Sequence, residues 1–107
     1  MAEQALSQSG LATNIVVDCS HANSYKQHDL QPLVMADVVN QVRLGNRSLV
    51  GTMIESNLVA GKQPIPEDLA QLRYGCSVTD ACVSWETTEQ MIRRAADLLR
   101  SVLPNRG

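Results

Sequence analysis

The sequence predicts an α/β chain built on one parallel βαβ crossover, with a helix before it and another after it. Three observations carry this reading. Two short apolar, β-branched runs, Ile15-Val16-Val17 and the stretch from Leu49 to Ile54, have the composition of strands. Between them Val34, Val38 and Val42 recur at helical spacing, with Met35 and Val39 beside them. The two strand segments begin 34 residues apart, at 14 and 48. Strands joined through a helix over such a span pair in parallel.

Each element has its own local signal. Residues 2–9 read as the end of a helix closed by Gly10. The first strand covers about 14–20, and a polar stretch from His21 to Asp29 follows it. The next helix covers about 31–44. Pro32 suits its first turn, where a missing N–H costs nothing, and Gly45 suits its C-terminal cap. The second strand covers about 48–55. Residues 56–86, with Pro64 and Pro66, read as a long loop. The last helix covers about 87–103: Thr87 and Gln90 have capping-box spacing, and Met91, Ile92, Ala95, Leu98, Leu99 and Val102 form its apolar stripe. Pro104 falls just past its end.

These elements do not close a domain. Parallel strands are normally covered on both faces, and two strands with about two full helices provide too little cover. A complete (β/α)₈ barrel takes roughly 250 residues; this chain has 107. It reads as a piece of a larger parallel α/β domain. Its two strands would each keep an unpaired edge, and its helices would stay half covered. Self-association, or binding to a fragment carrying the rest of the fold, is the expected consequence.

Composition narrows the function classes. The chain is 44% hydrophobic and 19% charged, with a net charge of −2, and its basic residues are scattered. No nucleic-acid footprint follows from that distribution. The longest apolar runs, Ile15 to Val17 and Leu33 to Ala36, are far too short to span a bilayer. Met1-Ala2-Glu3-Gln4 lacks the basic and apolar regions of a signal peptide, so a cytoplasmic location is the default expectation. Cys19, Cys76 and Cys82 are odd in number and lack Cys-x-x-Cys spacing, as expected of free, buried thiols.

Chemistry is expected where parallel strands end, because their C-terminal ends carry the active site in such folds. His21 follows the first strand, Glu55 ends the second, and Asp80 precedes the last helix. One imidazole and two carboxylates make a mixed nitrogen and oxygen set suited to Mn²⁺, Fe²⁺, Co²⁺ or Zn²⁺. Each residue also has a structural reading. His21 suits a hydrogen-bonded turn, Glu55 a solvated loop charge, and Asp80 a helix cap.

Longer motifs add to this. Asp18-Cys19-Ser20-His21-Ala22-Asn23-Ser24, with Lys26-Gln27, resembles a segment of class I 3-deoxy-D-arabino-heptulosonate 7-phosphate (DAHP) synthases. Gly51-Thr52-Met53-Ile54-Glu55-Ser56, then Leu58-Val59 and Gly61, is similar to the next strand and loop of that family. Tyr74-Gly75, Ser77, Thr79-Asp80-Ala81-Cys82 and Trp85-Glu86 are similar to its closing segment. The blocks keep their order and nearly their spacing from about residue 11 onward.

The resemblance implies the C-terminal portion, about two β/α units, of a TIM (β/α)₈ barrel. It implies a metal-dependent condensation of phosphoenolpyruvate with erythrose 4-phosphate, the first step of the shikimate pathway. It makes His21, Glu55 and Asp80 three of the family's four metal ligands, with Asp18, Ser20 and Asn23 as outer-shell candidates. Turn and cap hydrogen bonding is the other reading of those three. The fourth ligand, a cysteine from an early strand, has no counterpart in Cys19, Cys76 or Cys82. The Lys-Pro-Arg-Thr-Ser segment and most phosphate-gripping residues of the family are absent as well. The isolated chain is therefore expected to be inactive. A small non-catalytic α/β interaction module or an inactive truncated product is the rival reading.

Overall fold

The computed structural model describes residues 2–24 and 27–105. Lys26, part of the first matched segment, lies outside the described residues. The elements in order are α1 (Ala2–Gln8), β1 (Ile15–Asp18), α2 (Gln31–Arg43), β2 (Leu49–Met53), β3 (Ser56–Asn57), β4 (Val83–Ser84) and α3 (Trp85–Leu99). Short 3₁₀ turns at His21–Ser24, His28–Leu30, Leu69–Gln71 and Leu103–Asn105 link them. The fold is thus α/β, with β1 and β2 parallel and paired Ile15 to Leu49, Val17 to Thr52 and Asp18 to Met53.

Helix ends are set by local chemistry. Gly45 has a φ of 109°, and the Gly45 and Asn46 N–H groups donate to the carbonyls of Val42 and Gln41. This double closure satisfies carbonyls that the end of α2 would otherwise leave open. Gly10, with φ 73°, ends α1 in the same way through the bonds of Gly10 to Ser7 and Leu11 to Leu6. Asn46 then starts β2: its Oδ1 accepts from the N–H groups of Ser48 and Leu49 at 2.8 and 3.2 Å.

The second strand segment behaves differently from a single run over 48–55. Its pairing with β1 ends at Met53, and the chain resumes as β3, which pairs in parallel with β4. Residues 56–86 therefore hold two strands and a 3₁₀ turn. The partner strand at Val83–Ser84 also moves the start of the last helix. Ser84, in extended conformation, accepts from the Thr87 N–H and is the N-cap, so the helix begins at Trp85 instead of at Thr87. The helix ends at Leu99 instead of near 103. Pro104 follows, and a proline ring excludes helical continuation across the preceding turn.

The core is one-sided. Val38 and Val42 of α2 pack on Leu49, with Ile15, Val17, Leu99 and Val102 against them. On the other face of the sheet Val16 and Val50 are 63% and 54% exposed. Ile92, placed in the apolar stripe of the last helix by its spacing, is 50% exposed. The accessible surface is 7547 Å², whereas a folded monomer of this mass exposes about 5,900 Å². The radius of gyration is 16.7 Å, against about 13 Å for a compact domain of this length. The molecule is an open slab 19 Å thick. No helix among the described residues is long and apolar enough to cross a membrane.

Candidate metal centre

The end of β1 turns sharply into the 3₁₀ turn that carries His21. His21 adopts a φ of 52°, a left-handed conformation that costs a non-glycine residue roughly 1–2 kcal/mol. Its neighbours hold the ring in place. The Asp18 carboxylate accepts from the Ser20 N–H at 2.8 Å and from the Ser20 hydroxyl at 2.5 Å. Its other oxygen lies 2.9 Å from His21 Nδ1. Ser20 Oγ is also 2.9 Å from Nδ1. Since the Ser20 proton is directed to Asp18, Nδ1–H is the donor to both. Asn23 Nδ2 donates to the Asp18 carbonyl at 2.7 Å, bracing the same turn.

With Nδ1 protonated, a neutral ring offers Nε2 as its ligand atom. It points at two carboxylates, Glu55 Oε1 and Asp80 Oδ2, each at 3.1 Å. The metal-binding atoms of His21, Glu55 and Asp80 all lie within 4.8 Å of one another. In the metal-free chain a proton on Nε2 would be shared with these carboxylates. The His21 pKa is accordingly raised above its ordinary 6.5, first by the Asp18 hydrogen bond, then by Asp80 and by the Glu55 charge. Asp18 is held below the usual carboxylate range, chiefly by the Ser20 hydroxyl. Burial pushes the Cys19 thiol up.

Glu55 is positioned through its backbone. The Gln31 side chain, fully buried at the start of α2, donates from Nε2 to the Glu55 carbonyl at 3.1 Å and accepts from the Glu55 N–H at 3.0 Å. That carbonyl also accepts from the Val83 N–H at 3.0 Å. Asp80 rides on a loop stapled to the 61–63 segment: Gly61 and Cys82 exchange backbone bonds of 2.8 and 3.0 Å, and the Gln63 N–H donates to the Ser77 carbonyl at 2.7 Å.

The six residues singled out from the sequence, His21, Glu55, Asp80, Asp18, Ser20 and Asn23, thus meet in one place. One imidazole nitrogen and two carboxylate oxygens converging at this spacing fit a divalent ion of the borderline or hard kind. Three further residues, Gln31, His28 and Lys62, line the adjoining cavity of about 140 Å³. Nothing in the sequence marks them. Gln31 acts on a backbone 24 positions away, and Lys62 sits in a stretch without periodicity.

Comparison with known proteins agrees with the motifs. Residues 1–93 match the sequence model of the DAHP synthetase I family. The chain is 47% identical over 91 residues to the Tyr-sensitive phospho-2-dehydro-3-deoxyheptonate aldolase of Escherichia coli (strain K12), covering 85% of this chain and 26% of that protein. It is 47% identical over 89 residues to the phenylalanine-inhibited phospho-2-dehydro-3-deoxyheptonate aldolase of Saccharomyces cerevisiae, covering 81% of this chain and 24% of that protein. Among solved structures, the phospho-2-dehydro-3-deoxyheptonate aldolase of Francisella tularensis SCHU S4 superposes with a TM-score of 0.81 at 42% identity, over 89% of this chain and 27% of that one. The chain spans about a quarter of the length of these relatives. With a match that runs over most of its length, the chain belongs to the DAHP synthetase I family.

Proposed function

We propose that this chain supplies the C-terminal β/α units of a (β/α)₈ barrel and, with them, most of a divalent metal centre for DAHP synthesis. The reaction is the condensation of phosphoenolpyruvate with erythrose 4-phosphate. The observation that carries the reading is the convergence of His21 Nε2, Glu55 Oε1 and Asp80 Oδ2 beyond the ends of two parallel strands. Its membership of a family whose relatives are named for this activity supports the same assignment.

His21, Glu55 and Asp80 would hold the ion, which supplies Lewis acidity at the aldehyde oxygen of the sugar phosphate and a fixed point for orienting the substrates. The protein residues have separate tasks. Asp18 and Ser20 keep the Nδ1 proton on His21, which leaves Nε2 as a lone-pair donor. Asn23 holds the turn that aims the ring. Glu55 and Asp80 offset the charge of the ion, and Gln31 keeps Glu55 from drifting. The remaining ligand and phosphate-binding residues of the family lie outside this sequence, so the activity belongs to an assembled barrel.

A chimera tests this directly. Residues 11–105 replace the matching segment of the E. coli relative, and DAHP formation is measured. Retained activity that His21→Ala abolishes is the expected outcome. A folded, soluble chimera without activity contradicts the assignment.

A further inference from the structure

We propose that Lys62 is an oxyanion-binding residue beside the metal centre, gripping a phosphate or carboxylate group of an anionic substrate, with His28 as a second donor. The proposal rests on reading His21, Glu55 and Asp80 as metal ligands. Lys62 and His28 line the same cavity of about 140 Å³ as those three residues.

The backbone of Lys62 is held on both sides. Gly61 exchanges hydrogen bonds with Cys82, and the Gln63 N–H donates to Ser77. The Gln63 side chain is buried and braces the next turn, donating to the carbonyls of Arg73 and Cys76 at 2.8 and 2.9 Å and accepting from the Arg73 N–H at 2.9 Å. Lys62 therefore sits on the segment that is bridged to 77–82, the stretch that carries Asp80. The Lys62 backbone is thereby fixed relative to the candidate ligands, and its side chain lines their cavity.

Charge accounting gives the ligand class. Glu55 and Asp80 line the cavity with Lys62, yet both turn to His21, and among the described residues no ion pair joins Lys62 to a carboxylate. A divalent ion bound by two carboxylates and a neutral imidazole leaves a formally neutral centre. Lys62 then adds a positive charge to the cavity lining, with the Asp18 carboxylate on the far side of the His21 ring. An ammonium on a flexible stem suits a phosphate or carboxylate oxygen as a point-charge donor. The rival role for Lys62 is a counter-ion that neutralises Glu55 and Asp80 before metal arrives.

The test uses the chimera in which residues 11–105 replace the matching segment of the E. coli relative, with the wild-type segment, Lys62→Met, Lys62→Arg or His28→Gln, and with folding verified by circular dichroism. Phosphoenolpyruvate, inorganic phosphate and pyruvate are each titrated by calorimetry, with and without Mn²⁺, and Mn²⁺ is titrated alone. Lys62→Met is expected to weaken phosphoenolpyruvate binding roughly tenfold or more, the cost of losing a charge-assisted hydrogen bond. Lys62→Arg should retain most of the affinity, His28→Gln should cost less than Lys62→Met, and Mn²⁺ affinity should stay near wild type. Whichever of phosphate and pyruvate loses affinity in Lys62→Met identifies the group bound. Unchanged anion affinity with raised Mn²⁺ affinity in Lys62→Met assigns the counter-ion role and overturns the proposal, as does wild type that binds no anion saturably. Failure of the metal reading shows separately, as wild type that does not bind Mn²⁺, while the titrations without metal still report on Lys62.

Discussion

Gln31 grips the backbone of Glu55 from both sides, donating to its carbonyl and accepting from its N–H, with its own side chain fully buried. The helix that follows β1 is thereby locked to the residue that ends the next strand segment, and Glu55 is aimed at His21. Gln31→Ala would take this partner from the Glu55 N–H, at about 1–3 kcal/mol where no water replaces it, while the Glu55 carbonyl keeps the Val83 N–H. Urea unfolding should show a loss in that range, and Mn²⁺ affinity should fall with it. Gln31→Ala with unchanged unfolding midpoint and metal affinity would mean that Glu55 is positioned by other contacts.

His21 gives the metal-free chain a pH signature. Its pKa is raised by Asp18 first and by Asp80 and Glu55 after it. The sign follows from linkage: the stabilisation is fully present below the unfolded value and is lost as pH rises through the higher folded pKa. Metal must displace the Nε2 proton, so metal affinity should fall as pH drops through that folded value. NMR titration of the His21 ring should give a midpoint above 6.5, and Asp18→Asn should lower it. A His21 midpoint unmoved by Asp18→Asn would contradict the hydrogen-bond assignment.

The open face of the sheet predicts association. Val16, Val50 and Met53 are 63%, 54% and 44% exposed, and among the described residues β1 and β2 each pair along one edge only, leaving edges that template contact with other chains. Sedimentation over a concentration series should show mass rising above 11.7 kDa. A compact, cooperatively melting monomer at every concentration would make this segment an independent domain.

Much of this arrangement was legible in the residues, and the exceptions have a common cause. β1, α2 and the caps at Gly10 and Gly45 depend on neighbours within a few positions. His21 and Glu55 were marked by following strand segments, and Asp80 by the motif around it. Ser84 displaced Thr87 as the cap because β4 pairs with β3, a contact 27 residues distant that local spacing does not encode. Lys62 and Gln31 stayed hidden for the same reason. Their partners, Ser77 and Glu55, become neighbours only once the chain has folded.

Catalysis should be missing from the chain on its own. On the proposed function, residues outside this sequence would supply the remaining positioning and charge stabilisation. Phosphate release requiring both phosphoenolpyruvate and erythrose 4-phosphate should stay at background with Mn²⁺, Co²⁺ or Zn²⁺. Steady release abolished by His21→Ala would show that the segment is catalytically complete.

The central claim is that His21, Glu55 and Asp80 form one metal site, and a Mn²⁺ or Co²⁺ titration tests it most directly. Wild type is compared with His21→Ala, Glu55→Gln, Asp80→Asn and the triple variant, each shown by circular dichroism to keep its secondary structure. Removing a ligand should cost more than the roughly 10–100-fold typical of losing an outer-shell partner. One saturable site is expected, weakened in every single variant and absent in the triple variant. Equal affinity in wild type and the triple variant would contradict it.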